Sequence, residues 1–118
     1  METNKEPTPG SSTPWGEAQG VEKIGRGIVF VDTAGHGGIW LSDERMQEMP
    51  EPLRKIGEES KFHPEFPTWF EEDAEISAVI AAFPDKFSLN EVGSAMVMLR
   101  TVYPKEWKAL NPDEEENQ

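Results

Sequence analysis

Prolines cut the C-terminal two-thirds of this chain into short pieces. Pro50, Pro52, Pro64, Pro67, Pro84 and Pro104 each lack a backbone donor and have a fixed φ, so no long helix can run through them. Ser42 is placed to cap a short helix through about Glu48, which Pro50 stops. Pro52 suits the first turn of another, and Gly57 suits its end. Residues 58–68 hold two prolines, His63 and several charges, and read as an irregular loop. Between Pro67 and Pro84 lies the clearest helix expected here, Glu71–Phe83. Its Ile76, Val79, Ile80 and Phe83 recur at i, i+3, i+4 and i+7 as one apolar stripe. After Pro84, Ser88 with Glu91 forms a capping-box pattern, opening a second main helix over 88–103 with Leu89, Val92, Met96, Leu99 and Tyr103 along one side. Pro104 then opens a last turn through Trp107 and Leu110.

Proline is absent from residues 20–41, where the pattern changes to strands. Val21–Ile24, Ile28-Val29-Phe30-Val31 and Ile39-Trp40-Leu41 are short β-branched and aromatic runs separated by glycine-rich turns. Gly25 or Gly27 can supply the positive φ of a tight hairpin. The expected fold is α+β: a small antiparallel sheet of about three strands over residues 20–41, packed by two main helices, 71–83 and 88–103, plus short ones. Length and composition allow one domain, 14–110. Residues 1–13 are too polar to bury a core and are expected to be a disordered tail, as is the acidic segment 111–118.

Charge narrows the partners. The chain has 23 acids against 11 bases and a formal net charge of -12. The tails account for -1 (1–13) and -4 (111–118), leaving -7 on the folded part. Direct binding to a nucleic-acid backbone or to anionic lipid is therefore not expected, because both need basic side chains. There is no cysteine, which excludes disulfides, thiolate nucleophiles and cysteine-based metal centres. No stretch reaches the roughly 20 apolar residues of a membrane helix, and the N-terminus lacks the apolar core of a signal peptide. A cytoplasmic protein of a bacterial host is expected.

Three constellations could carry chemistry. The loop Thr33–Gly38, TAGHGG, can expose backbone N–H groups to an anion, with His36 as a base, ligand or donor. It resembles the His-Gly-Gly oxyanion loop of esterases, but the Gly-x-Ser-x-Gly elbow that reading needs is missing. So are the phosphate loop and the dinucleotide fingerprint, and no cofactor is expected. The second is Glu71-Glu72-Asp73 with Glu75. Such carboxylates can do acid–base work or, with His36 or His63, hold a divalent metal; a helix N-terminus also collects acids for structural reasons. No metal-ligand spacing such as HExxH is present, and no metal site is expected. The third is aromatic: Trp15, Trp40, Trp69 and Trp107 with Phe62, Phe66 and Phe70. Tryptophan suits both cores and binding hot spots, and Trp15, between Pro14 and Gly16, is placed to pin the N-terminal segment onto the core.

Taken in order, TPWG (Thr13–Gly16), TAGHGG (Thr33–Gly38), LSDER (Leu41–Arg45), MPEPLR (Met49–Arg54), WFEED (Trp69–Asp73), AFPDKF (Ala82–Phe87) and YPKEW (Tyr103–Trp107) resemble an uncharacterised domain family of phage, plasmid and other mobile-element proteins. The likeness runs from about Thr13 to Leu110. It departs at Ile76, where the family often has an aromatic residue, which argues against an aromatic-lined pocket beside the acids; the Gly57–Pro67 loop is also longer than expected. The resemblance implies a mobile-element context and no activity. In that context a small acidic protein is expected to be a non-enzymatic accessory that binds a host protein. In its sharpest form it inhibits a nucleic-acid-handling defence system by imitating phosphates. The partner-binding residues expected are Gly35, His36, Gly37, Gly38, Trp40, Glu71, Glu72 and Asp73. The alternative is a small hydrolase or metal-assisted enzyme using His36 with Glu71 or Asp73. Oligomeric state is left open.

Overall fold

The computed structural model describes residues 4–113; the ends of both expected tails, 1–3 and 114–118, lie outside the described residues. The architecture is α+β. A two-stranded ribbon, β1 (Ser12–Thr13) and β2 (Gly16–Glu17), precedes a four-stranded antiparallel sheet. The sheet comprises β3 (Gly20–Gly25), β4 (Ile28–Asp32), β5 (Gly37–Leu41) and β6 (Trp69–Glu71) in that order across it. The helices are α1 (Asp43–Glu48), α2 (Glu51–Glu58), α3 (Ile76–Ala82), α4 (Leu89–Val102) and α5 (Pro104–Leu110), with a 3₁₀ turn at Pro84–Lys86.

The local signals act as elementary chemistry requires. Gly27, at φ +75°, turns β3 into β4, a conformation costly for a residue with a Cβ. Ser42 accepts the Arg45 N–H at the start of α1. At α4 both halves of the capping box form, Ser88 Oγ accepting from Glu91 N–H and the Glu91 carboxylate from Ser88 N–H. Pro84 and Pro104 bound the helices they were expected to bound.

One expectation is corrected. The helix over 71–83 is shorter than its apolar stripe suggested: α3 begins at Ile76, and Trp69-Phe70-Glu71 instead forms a fourth strand paired with β5 in the register Trp40–Trp69, Ile39–Phe70 and Gly38–Glu71. The reason is tertiary. Two aromatic side chains gain a buried place on opposite faces of the sheet, which outweighs local helix propensity. The polar segment 4–13, expected to be a tail, is tied down through its described part. The Asn4 side-chain amide donates to the Leu41 carbonyl at 2.9 Å, and its oxygen accepts the Trp40 indole N–H at 2.8 Å and the Thr68 hydroxyl at 3.1 Å. A single polar side chain thereby joins the N-terminal segment to β5 and to Thr68, the residue before β6.

The sheet is buried on both faces, which explains why every residue of β5 is buried and why it reads as an uninterrupted apolar run. Ile28, Ile39, Leu41 and Phe70 face the helices, packing with Met46, Leu53, Ile56, Val79 and Leu99. Each such fully buried side chain contributes about 1.5–3 kcal/mol of transfer free energy. Val29, Val31, Trp40 and Trp69 face the other way, where Ala18 and Trp15 pack on them and Val21 of β3 flanks Val31.

Candidate functional site

The N-terminal ribbon exists to place Trp15. Thr13 Oγ1 donates to the Gly16 carbonyl at 2.8 Å and accepts the Trp15 N–H at 3.0 Å, which closes the turn. The indole then lies over Gly38, where an added Cβ would collide with Trp15 and with the Phe70 carbonyl. It meets Trp69 edge-on with ring centroids 5.6 Å apart, and His63 edge-on at 5.8 Å.

The TAGHGG segment is a turn closed on itself rather than an open cradle. Thr33 N–H and Thr33 Oγ1 both donate to the His36 carbonyl at 2.8 Å, and Thr33 Oγ1 accepts the His36 N–H at 3.2 Å. Gly37 and Gly38 belong to β5, and the Gly37 carbonyl accepts the Glu72 N–H at 2.9 Å. Only Ala34, Gly35 and His36 of the turn are exposed. Trp40, expected at a partner surface, is 2% exposed and belongs to the core, because its strand is central in a sheet covered on both sides.

The pairing of β5 with β6 carries the acids to this turn. His36 Nδ1 lies 3.4 Å from Glu71 Oε2, with the imidazole 58% exposed and the Glu71 side chain 17% exposed. Glu72 and Asp73 are exposed beside them. None of the three acids lies in the first turn of α3, so helix electrostatics do not account for them. Glu71 is the acid that meets His36; Glu72 and Asp73 follow it in the chain and line the hollow between α3 and α4.

A second constellation lies just behind it and is buried. His63 Nε2 contacts Glu75 Oε1 at 2.6 Å, and His63 Nδ1 donates to the Phe66 carbonyl at 3.2 Å. Glu75 Oε1 also accepts the Glu71 N–H at 2.9 Å, and Oε2 accepts the Ser60 hydroxyl at 2.6 Å. Burial works against charge on both partners. For His63 the hydrogen bond and charge of Glu75, with the Phe66 carbonyl, overcome it and hold the imidazole pKa above its ordinary 6.5. For Glu75 the hydrogen bonds from His63, Glu71 N–H and Ser60 hold the carboxyl below its ordinary 4.5. The result is a buried imidazolium–carboxylate pair with its hydrogen-bonding capacity met, the condition under which burying charge is tolerable. Tyr103 lies nearby, its phenol pushed up to about 12 by burial and then by the charges of Glu75, Glu106 and Glu71.

This network holds the chain in place and does not set up a nucleophile. Catalytic triads put the imidazole between hydroxyl and acid; here the carboxylate is in the middle, and Ser60 Oγ also accepts the Phe62 N–H at 3.2 Å. Both nitrogens of His63 are engaged. What the pair does is close the open edge of β6, satisfying the Glu71 N–H and fixing the 59–68 loop across it. Neither the loop position of His63 nor the 12-residue separation from Glu75 marks the pair in the sequence; the only signals are a histidine in a loop and one acid more than the surface cluster uses. Among the described residues no three of His, Asp or Glu gather into a group able to hold a metal ion, and no helix is long and apolar enough to cross a membrane.

The family model described as a domain of unknown function (DUF7007) matches residues 8–118. The chain belongs to this family. No curated protein and no solved structure matches it. The matched span takes in the ribbon, the sheet and all five helices.

Proposed function

We propose that this domain is a non-enzymatic acidic binding protein of a phage or other mobile element, acting in the cytoplasm of a bacterial host on a host protein. In its sharpest form the partner handles nucleic acid in a defence system, and the domain occupies the partner's basic groove in place of phosphates. The observation that carries this reading is the acidic run that β5–β6 pairing brings beside the exposed Gly35–His36 turn: Glu71 in contact with His36, and exposed Glu72 and Asp73 next in the chain. Acids there serve no helix terminus, and the remaining charge of the chain has the same sign. The test is capture of host proteins from lysate by the wild-type domain and by Glu71→Lys/Glu72→Lys/Asp73→Lys. A partner captured by the first and lost by the second is expected, with no shift of duplex DNA by the domain alone. Equal capture by both removes the reading.

One observation favours a second reading, a hydrolase or metal-assisted enzyme using His36 with Glu71 or Asp73: the 3.4 Å approach of His36 to Glu71. It requires a metal in the purified protein or a hydrolytic activity that disappears in His36→Ala.

A further inference from the structure

A hollow of about 320 Å³ opens between α3 and α4. Ile76, Ile80 and Met98 make its apolar floor, and Glu72, Asp73 and Glu91 stand at its rim. None of the residues lining it is a cation. It adjoins a second hollow of about 460 Å³ that shares Ile76, Ile80 and Glu91 and continues toward β3, where Lys23 and Lys86 lie. The surface is therefore a continuous apolar furrow with carboxylates at one end and mixed charge at the other.

We propose that this furrow receives a basic amphipathic segment of the partner protein, its apolar side chains on the floor and its Lys or Arg side chains against Glu72, Asp73 and Glu91. Charge complementarity selects that occupant. A second copy of this chain would bring the same net charge of -12 to the contact, and an anionic lipid surface would be repelled in the same way. A helix laid in a groove reads out as apolar anchors at i, i+3 or i+4 and i+7, and two adjoining hollows suit two successive anchors. The inference rests on the protein-binding reading and deepens it: a partner that contacted only imitated phosphates would present charge alone, whereas this furrow also demands apolar side chains.

The experiment uses the full chain and three labelled helical peptides of equal length, built from Leu and Lys, from Ser and Lys, and from Leu and Glu, followed by fluorescence anisotropy. The Leu/Lys peptide is expected to bind about tenfold or more tightly than either of the others, since losing one buried leucine anchor alone costs about that factor. Met98→Gln, which changes the floor and leaves the acids intact, is expected to weaken the Leu/Lys peptide several-fold while thermal unfolding shows the domain still folded. Asp73→Lys, at an exposed position, repeats the test at the rim. Equal binding of the Ser/Lys peptide, equal binding of the Leu/Glu peptide, or no binding of the Leu/Lys peptide each overturns the proposal. Host-protein capture that the charge-reversed triple variant abolishes and Met98→Gln leaves intact would keep the binding reading and remove the furrow from it.

Discussion

His36 and His63 each sit beside a glutamate, and the two glutamates are joined through one hydrogen bond, Glu71 N–H to Glu75 Oε1 at 2.9 Å. The environments differ. The His36 side chain is 58% exposed and its contact with Glu71 is 3.4 Å; the His63 side chain is 2% exposed and its contact with Glu75 is 2.6 Å. Water reaches the imidazole of the first pair, while the Glu71 side chain is only 17% exposed, and at 3.4 Å the contact contributes little to stability. The second pair has exchanged water for four protein hydrogen bonds and holds a loop, a strand edge and a helix start together. The same two residue types thus make a loose surface contact at the turn and a set of buried hydrogen bonds behind it.

The comparison is tested hardest at Glu75. Glu75→Ala removes the acceptor of His63 Nε2, of the Ser60 O–H and of the Glu71 N–H and is expected to cost about 3–5 kcal/mol in denaturant unfolding; a loss under about 1 kcal/mol would mean the buried pair holds nothing. Gly38→Ala comes next. Its methyl group meets the Phe70 carbonyl and the Trp15 ring, and overpacking against backbone is expected to cost about 1–3 kcal/mol, with Trp15 fluorescence shifted toward that of exposed indole.

Smaller again is the pH response. The His63 pKa is raised on folding, so its stabilisation is complete below 6.5 and is lost as pH rises through the folded value. The Glu75 pKa is lowered, so its stabilisation is complete above 4.5 and is lost as pH falls through the folded value. Melting temperature should therefore be highest between these limits and decline on either side, and Glu75→Gln should flatten both limbs. The smallest effect belongs to His36→Ala, expected to change stability by no more than about 0.5 kcal/mol while weakening partner capture. A large loss of stability there would erase the contrast between the two histidines.

The elements legible in the sequence were those whose signals are local. Ser42, Ser88 with Glu91, Gly27, Pro84 and Pro104 each act on backbone atoms within a few residues, and each acts as its chemistry requires. The elements that escaped were long-range. Trp69–Glu71 became a strand because β5, about thirty positions earlier, offered an edge. Asn4 was unremarkable until Trp40, Leu41 and Thr68 converged on it. At the candidate site, His36 and the acids could be named as residue types, but their approach depended on strand register; Trp40 carried the composition of a binding hot spot and turned out to be core.

Sequence by itself determined the α+β class, the short proline-bounded helices, the strand-forming segment 20–41 and the sign of the surface charge, because propensity, capping and formal charge belong to residues and their near neighbours. Only the tertiary structure decided which face of the sheet Trp15 covers, that β6 exists, and which glutamate each histidine meets. Those outcomes rest on burial, and burial is a property of the assembled chain: it turns His63 and Glu75 into a clip and leaves His36, beside a glutamate of the same kind, facing water.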